Sequence, residues 1–122
     1  MIENIEVTGI HTEVDEDVRK YAIKKIGRLS KYMSSHAKKS VSARVKLKSA
    51  TIKGKNQYTC EVSIVLPFET ITTKETTVNM FAAIDIVETK LKNQLVRYKG
   101  QHSALRRRTR QLVNKFRSQS SD

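Results

Sequence analysis

The sequence has no tryptophan, one proline, one cysteine and four glycines in 122 residues. So little proline excludes a Pro-rich linker, and the varied composition excludes a low-complexity chain. With Cys60 alone there is no internal disulfide framework, which fits a reducing compartment. The glycines are scattered singly, so no Gly-rich phosphate loop is present. No apolar run approaches the ~20 residues of a membrane-spanning helix, and no lipidation pattern occurs. The first residues alternate in polarity, unlike a signal peptide. The expected setting is the cytoplasm, with no membrane partner. Acids are scarce too: 12 Asp and Glu stand against 24 Lys and Arg, a net charge of +12 at pH 7.

That excess attracts polyanions and destabilises the isolated molecule through self-repulsion. With membranes set aside, nucleic acid is the favoured partner. The chemistry of catalysis is thin. His11, His36 and His102 lie in a turn, a loop and the tail, none with a second ligand at metal-site spacing. Cys60 falls on the apolar phase of a strand, where an inert buried thiol is expected. Asp85 and Glu88 are three apart on a helix, a spacing open to acid–base work; an acid facing nearby Lys is the commoner arrangement, and Asp85 is also placed to interact with the first turn of its own helix. No enzyme, cofactor, metal or small-molecule substrate is expected.

The apolar pattern gives one domain over residues 1–99. Met1 to Ile10 reads as a strand, with Ile5 and Val7 alternating against Glu6 and Thr8. Thr12 is the expected N-cap of a helix whose first turn carries Glu13, Asp15, Glu16 and Asp17, where the dipole favours negative charge. From Val14 the stripe Val18, Ala22, Ile26, Leu29 and Met33 has the helical period, with Tyr21 and Tyr32 alongside. Gly27 is a mild interior cost, and Ser34, Ser35 and His36 end the helix. Val41, Ala43, Val45 and Leu47 then alternate with Ser42, Arg44, Lys46 and Lys48, a half-buried strand with a basic outer face. A turn at Lys53 to Asn56 leads to Tyr58, Cys60, Val62, Ile64 and Leu66, closed by Pro67. Thr70 to Thr77 makes a fourth, more exposed strand. The second helix runs from Asn79 to Tyr98, with Met80, Ile84, Val87, Leu91, Leu95 and Tyr98 on one side. The order βαβββα implies an α+β two-layer sandwich: a four-stranded mixed sheet whose first two strands are parallel, with both helices on one face.

After Lys99 the composition shifts. Gly100 is the expected helix stop. Arg106, Arg107, Arg108, Arg110, Lys115 and Arg117 follow, with one acid, Asp122. Leu105, Leu112, Val113 and Phe116 offer a short apolar stripe, marginal as an isolated helix in water. Residues 100–122 are expected to be a basic tail, disordered or a short helix formed on a partner.

The basic residues sit in stripes. Lys20, Lys24, Arg28 and Lys31 step along the outer side of the first helix, with Lys25 near the edge. On the second helix Lys90 and Arg97 share one flank, Lys92 and Lys99 the other. One such stripe is usually only a solvated surface. Two on adjacent helices, with the Arg cluster behind them, suit a surface that follows phosphates and recognises RNA by shape.

Three segments resemble the ribosome hibernation promoting factor and ribosome-associated inhibitor family over roughly Met1 to Lys99. They are Ile10-His11-Thr12 with Val18-Arg19-Lys20-Tyr21 and Lys24-Lys25-Ile26-Gly27-Arg28-Leu29-Ser30-Lys31-Tyr32; Asn79-Met80-Phe81-Ala82-Ala83-Ile84-Asp85, close to the family's usual Asp-Met-Tyr-Ala-Ala-Ile-Asp; and Lys90-Leu91-Lys92-Asn93-Gln94-Leu95 with Arg97-Tyr98-Lys99. The resemblance implies the same strand-helix-three-strand-helix fold, similar in outline to double-stranded-RNA-binding domains. It also implies binding to the small ribosomal subunit, its RNA and its proteins, in the channel used by messenger and transfer RNA. By position it marks Arg19, Lys24, Lys25, Arg28, Lys31, Lys90, Arg97 and Lys99 as basic RNA contacts; Lys20 and Lys92 come from the stripes alone. Asn93 stands where relatives often carry Arg. Long-form relatives add a C-terminal domain that pairs two ribosomes, and 122 residues end before one; short relatives lack the basic tail seen here. The expectation is a monomeric plug that blocks translation and stabilises idle ribosomes, with the Arg cluster extending the grip. The alternative is a general structured-RNA-binding or RNA-chaperone module.

Overall fold

The structure, a computed structural model, describes the backbone of residues 1–120 and the side chains of residues 1–100 apart from Ser35, His36 and Lys39. The elements are β1 (Ile5–Ile10), α1 (Glu16–Gly27), a 3-10 segment (Arg28–Tyr32), α2 (Ser35–Ser40), β2 (Ser42–Ile52), β3 (Lys55–Val65), β4 (Thr70–Thr77) and α3 (Met80–Ser120). The sheet order is β1-β2-β3-β4, with β1 and β2 parallel and the other pairs antiparallel. The α+β sandwich expected from the periodicity is the observed one. Alternate residues of the strands meet the helices: Val45, Leu47, Cys60, Val62 and Ile64 are buried against Ile26, Leu29, Ile84, Val87, Leu91 and Leu95. Truncating a side chain such as Leu91 to Ala costs about 2–5 kcal/mol in a core of this kind.

The local boundaries differ from the sequence reading in instructive ways. The N-cap of α1 is Asp15, whose side chain accepts from the Asp17 N–H at 3.2 Å. Thr12 is occupied elsewhere, accepting a hydrogen bond from Ser49 on β2. The chain leaves β1 sharply: His11 has a φ of 54°, and a Cβ on Gly9 would lie 2.3 Å from the Thr12 carbonyl oxygen. The α-helical turn ends at Gly27, where the N–H of Ile2 donates to the Gly27 carbonyl at 3.1 Å and Met1 lies across the glycine. Gly27 is therefore a point of close approach as well as an interior cost. Beyond it, Ser34 does not only stop a helix: its hydroxyl accepts from the Ala37 N–H and starts α2.

Lys53 and Gly54 join β2 to β3 at φ values of 53° and 76°, the positive pair of a type I′ hairpin turn. A lysine in that region is disfavoured by roughly 1–2 kcal/mol. On β4, Ile71 and Thr73 face inward, and the Thr73 hydroxyl donates to Gln94 of α3 at 2.8 Å. Asn79 caps α3 by accepting from the N–H groups of Phe81 and Ala82. The helix does not stop at Gly100: the glycine keeps helical backbone and α3 continues to Ser120. Glycine ends a helix when it turns left-handed; in a right-handed helix it only weakens one by about 1 kcal/mol against Ala.

Candidate nucleic-acid interface

Because β1 and β4 both end at the same edge of the sandwich, α1 and α3 start there together and run side by side in the same direction. At the beginning of their seam, the Tyr21 ring meets Phe81 edge-on with centroids 5.0 Å apart. The Tyr21 hydroxyl donates to Asp85 at 2.5 Å, and the Lys25 ammonium lies 3.6 Å from the same oxygen. The Tyr21 phenol is pushed up to about 12, first by its hydrogen bond to Asp85, then by burial and by the charges of Asp85 and Glu88, with Arg28 opposing. Asp85 thus reaches across to α1. The sequence suggests a contact with the first turn of its own helix; the structure instead gives its carboxylate to Tyr21 and Lys25.

Further along, the Tyr32 ring carries two ammonium groups, Lys31 at 5.2 Å and Lys92 at 5.4 Å from its centroid. Lys31, Tyr32, Val96, Lys99 and Gly100 line an open hollow of about 390 Å³. Three lysines from the 3-10 segment and α3 therefore converge with no acid among the described residues that line the hollow between them, an arrangement that favours an anion. Lys92 and Lys99 share this flank, as their seven-residue spacing indicates.

The other candidates are placed differently. Lys20, Lys24 and Arg28 are exposed on the outer side of the first helical run. Lys25 is half-buried and paired with Asp85. Arg19 is turned toward the edge strand, where its guanidinium donates to the Val7 carbonyl at 3.2 Å and lies 4.0 Å from Glu16. On the far flank of α3, Lys90 pairs with Glu75 of β4 at 2.5 Å, and Arg97 lines a separate hollow of about 310 Å³ with Glu69, Thr70, Thr72 and Gln94. Arg106, Arg107, Arg108 and Arg110 fall on the helical extension, but their side chains lie outside the described residues. The candidates thus divide among an open seam end, an outer stripe, a paired seam end and two flanks. The tyrosine that organises the open end was legible only as a residue beside the apolar stripe; its place between two lysines depends on α3.

Among the described residues, no helix is long and apolar enough to cross a membrane, and no three His, Cys, Asp or Glu side chains gather as a metal ion would need. Cys60 is fully buried, and burial pushes its thiol up to about 12, so the thiolate that reactive cysteines need is suppressed.

A family model described as Sigma 54 modulation protein / S30EA ribosomal protein matches residues 5–103. The chain is 35% identical over 95 residues to the ribosome hibernation promotion factor of Lactococcus lactis subsp. cremoris (strain MG1363), a match covering 76% of this chain and 48% of that protein. It spans about half the length of that curated relative. Among solved structures, the Thermus thermophilus Protein Y N-terminal domain superposes with a TM-score of 0.62 at 28% identity, covering 78% of this chain and 98% of the other. A ribosomal subunit interface protein from Coxiella burnetii gives a TM-score of 0.65 at 20% identity, covering 80% and 98%, a likeness of fold.

Proposed function

The chain belongs to the Sigma 54 modulation protein / S30EA ribosomal protein family, and from that premise we propose that it is a ribosome hibernation factor: it binds the small ribosomal subunit in the channel shared by messenger and transfer RNA and holds the ribosome idle. The observation that carries this reading is the open seam end, where Lys31, Lys92 and Lys99 gather around Tyr32 with no acid among the described residues that line the hollow. Lys20, Lys24 and Arg28 extend the same positive surface along the first helical run.

The mechanism is steric and electrostatic, and no bond is made or broken. Lysines held by packed helices meet phosphates in fixed positions, so the fold fits one arrangement of the RNA backbone better than others. A rigid sandwich seated in the channel excludes messenger and transfer RNA by occupying their space. The basic helical extension with Arg106, Arg107, Arg108 and Arg110 adds further phosphate contacts along the channel. The protein acts in the cytoplasm, as a monomer away from the ribosome.

Co-sedimentation with purified small subunits, against an equal mass of structured non-ribosomal RNA across a salt series, tests this. The expected result is saturable binding near one copy per subunit that outlasts the control RNA as salt rises from about 50 to 200 mM, a range over which a purely electrostatic grip on several phosphates loses orders of magnitude. Parallel loss from both RNAs would make the protein a general structured-RNA binder and end the hibernation reading.

A further inference from the structure

The helices account for only part of the positive charge. From Ser42 to Cys60 the chain carries Arg44, Lys46, Lys48, Lys53 and Lys55 and no acid. Arg44, Lys46 and Lys48 project from the sheet face that the helices leave uncovered, since Ala43, Val45 and Leu47 fill the core. Nearer the middle of the sheet this charge is matched across the strands: Glu6 stands opposite Arg44, and Glu61 opposite Lys46. Toward the hairpin tip the matching stops. Lys48 stands between Ile10 and Thr59, and Lys55 stands opposite Ile52.

The tip is also where the sheet runs out of neighbours. β1 ends at the level of Lys48 and β4 at the level of Tyr58, so β2 and β3 continue alone to the turn. Three more residues of β2, from Ala50 to Ile52, extend the ribbon by about 10 Å. Its residues from Thr51 to Asn56 are exposed, including Ile52 at 49%. At the turn itself Lys53 holds a φ of 53°, a position that Asn, Asp or Gly fills with less strain. Strain at an exposed, charged tip is an observation that points to use.

We propose that the β2–β3 hairpin tip is a second RNA-binding element, with Lys48, Lys53 and Lys55 gripping the phosphate backbone of an RNA segment separate from the one held at the open seam end. The separation follows from the topology. The tip projects from the edge where both helices begin, whereas Lys99 lies about 27 Å along α3 from Phe81. With the ribbon added, the two basic points are on the order of 40 Å apart. A short duplex fills one of them; a large folded RNA fills both. This rests on the reading of the seam as an RNA-binding surface, and adds to it a second anchor that selects for RNA of ribosomal size.

The test pairs Lys53→Asn with Lys53→Asn/Lys55→Gln in the full chain. Thermal unfolding is followed by circular dichroism, and binding is measured to purified small subunits and to an RNA duplex too short to reach both points. Lys53→Asn creates the favoured Asn-Gly turn, so its unfolding midpoint rises. Its affinity for small subunits falls all the same. The double variant lowers the salt dependence of subunit binding by about 1 to 2 in log–log slope, while the short duplex, still held at the seam, loses less than the subunit does. Subunit affinity and slope equal to wild type in both variants would overturn the proposal, leaving the tip a strained turn and nothing more. Loss of subunit binding on changing Lys31, Lys92 and Lys99, beside unaffected tip variants, would sink the hairpin and spare the seam. Insensitivity to the seam variants would instead remove the seam reading itself.

Discussion

The two ends of the seam between α1 and α3 are made from the same parts, a tyrosine with a lysine over its ring at one end and with two at the other, and they do opposite things. At the first, Asp85 receives the Tyr21 hydroxyl and draws in Lys25. At the second, Tyr32 gathers Lys31 and Lys92 beside a hollow that no described acid lines. One carboxylate therefore decides whether a lysine joins helices or stays available to a polyanion. Cation–π contacts occur at both ends, so they do not distinguish the roles; the placement of acids does. A tally of basic residues on a helix misses this difference.

The largest expected effect comes from emptying the open end. Replacing Lys31, Lys92 and Lys99 together by Gln should lower the salt slope of small-subunit binding by about 3, roughly one per phosphate contact, with little change in unfolding midpoint. Sedimentation across salt concentrations measures the first and thermal melting the second; a full loss of fold would show that these lysines are structural after all. Next in size, Asp85→Ala at the closed end should reduce unfolding free energy by about 1 kcal/mol. Hydrogen bonds to charged groups contribute about 1.5–3 kcal/mol, and this half-exposed carboxylate takes a discounted share. Urea titration reads the change, and subunit affinity should not fall. Were affinity to drop as much as in the triple variant, the two ends would be one site.

Tyr21→Phe sharpens the comparison through pH. The folded phenol titrates near 12 and the unfolded one near 10, so the unfolded chain loses its proton first as pH rises. The stabilisation is complete below about pH 10 and is lost between about 10 and 12. The Phe variant should show a shallower fall in stability across that window, measured as unfolding midpoint against pH. A fall as steep as in the wild type would assign the alkaline loss to other groups. The smallest effect is expected away from the seam: Glu75→Gln, which removes the Lys90 pair, should shift stability by no more than a few tenths of a kcal/mol. A larger shift in denaturant midpoint would mean that the β4 flank carries more of the fold than its exposure suggests.

Much of this architecture can be read in the sequence because it follows from period. Strand alternation through Val45 and Leu47 and the helical stripe through Ile84, Leu91 and Leu95 both fix faces directly, and the seven-residue spacing separates the Lys90 flank from the Lys92 flank. Features that depend on a distant partner are not legible. The Tyr21–Asp85 bond joins residues 64 apart, and nothing near Arg19 announces that its guanidinium will meet the Val7 carbonyl. Signals with two meanings fail as well. Serine disrupts one helix and caps the next, so Ser34 reads as an end where the structure also has a beginning. Glycine at position 100 looks like a stop, yet a stop requires a left-handed turn that the backbone does not make.

The single thiol at the centre of the sheet gives the molecule a built-in clock. Cys60 is sealed between its neighbours with its proton held to about pH 12, so an alkylating reagent in neutral buffer meets it chiefly when the sandwich opens. With no second cysteine to blur the signal, the rate of labelling reports how often β3 parts from the helices. If a bound ribosome clamps both layers, that rate should slow when the protein is bound. The fold thus records its own residence on a partner in the chemistry of one sulfur atom.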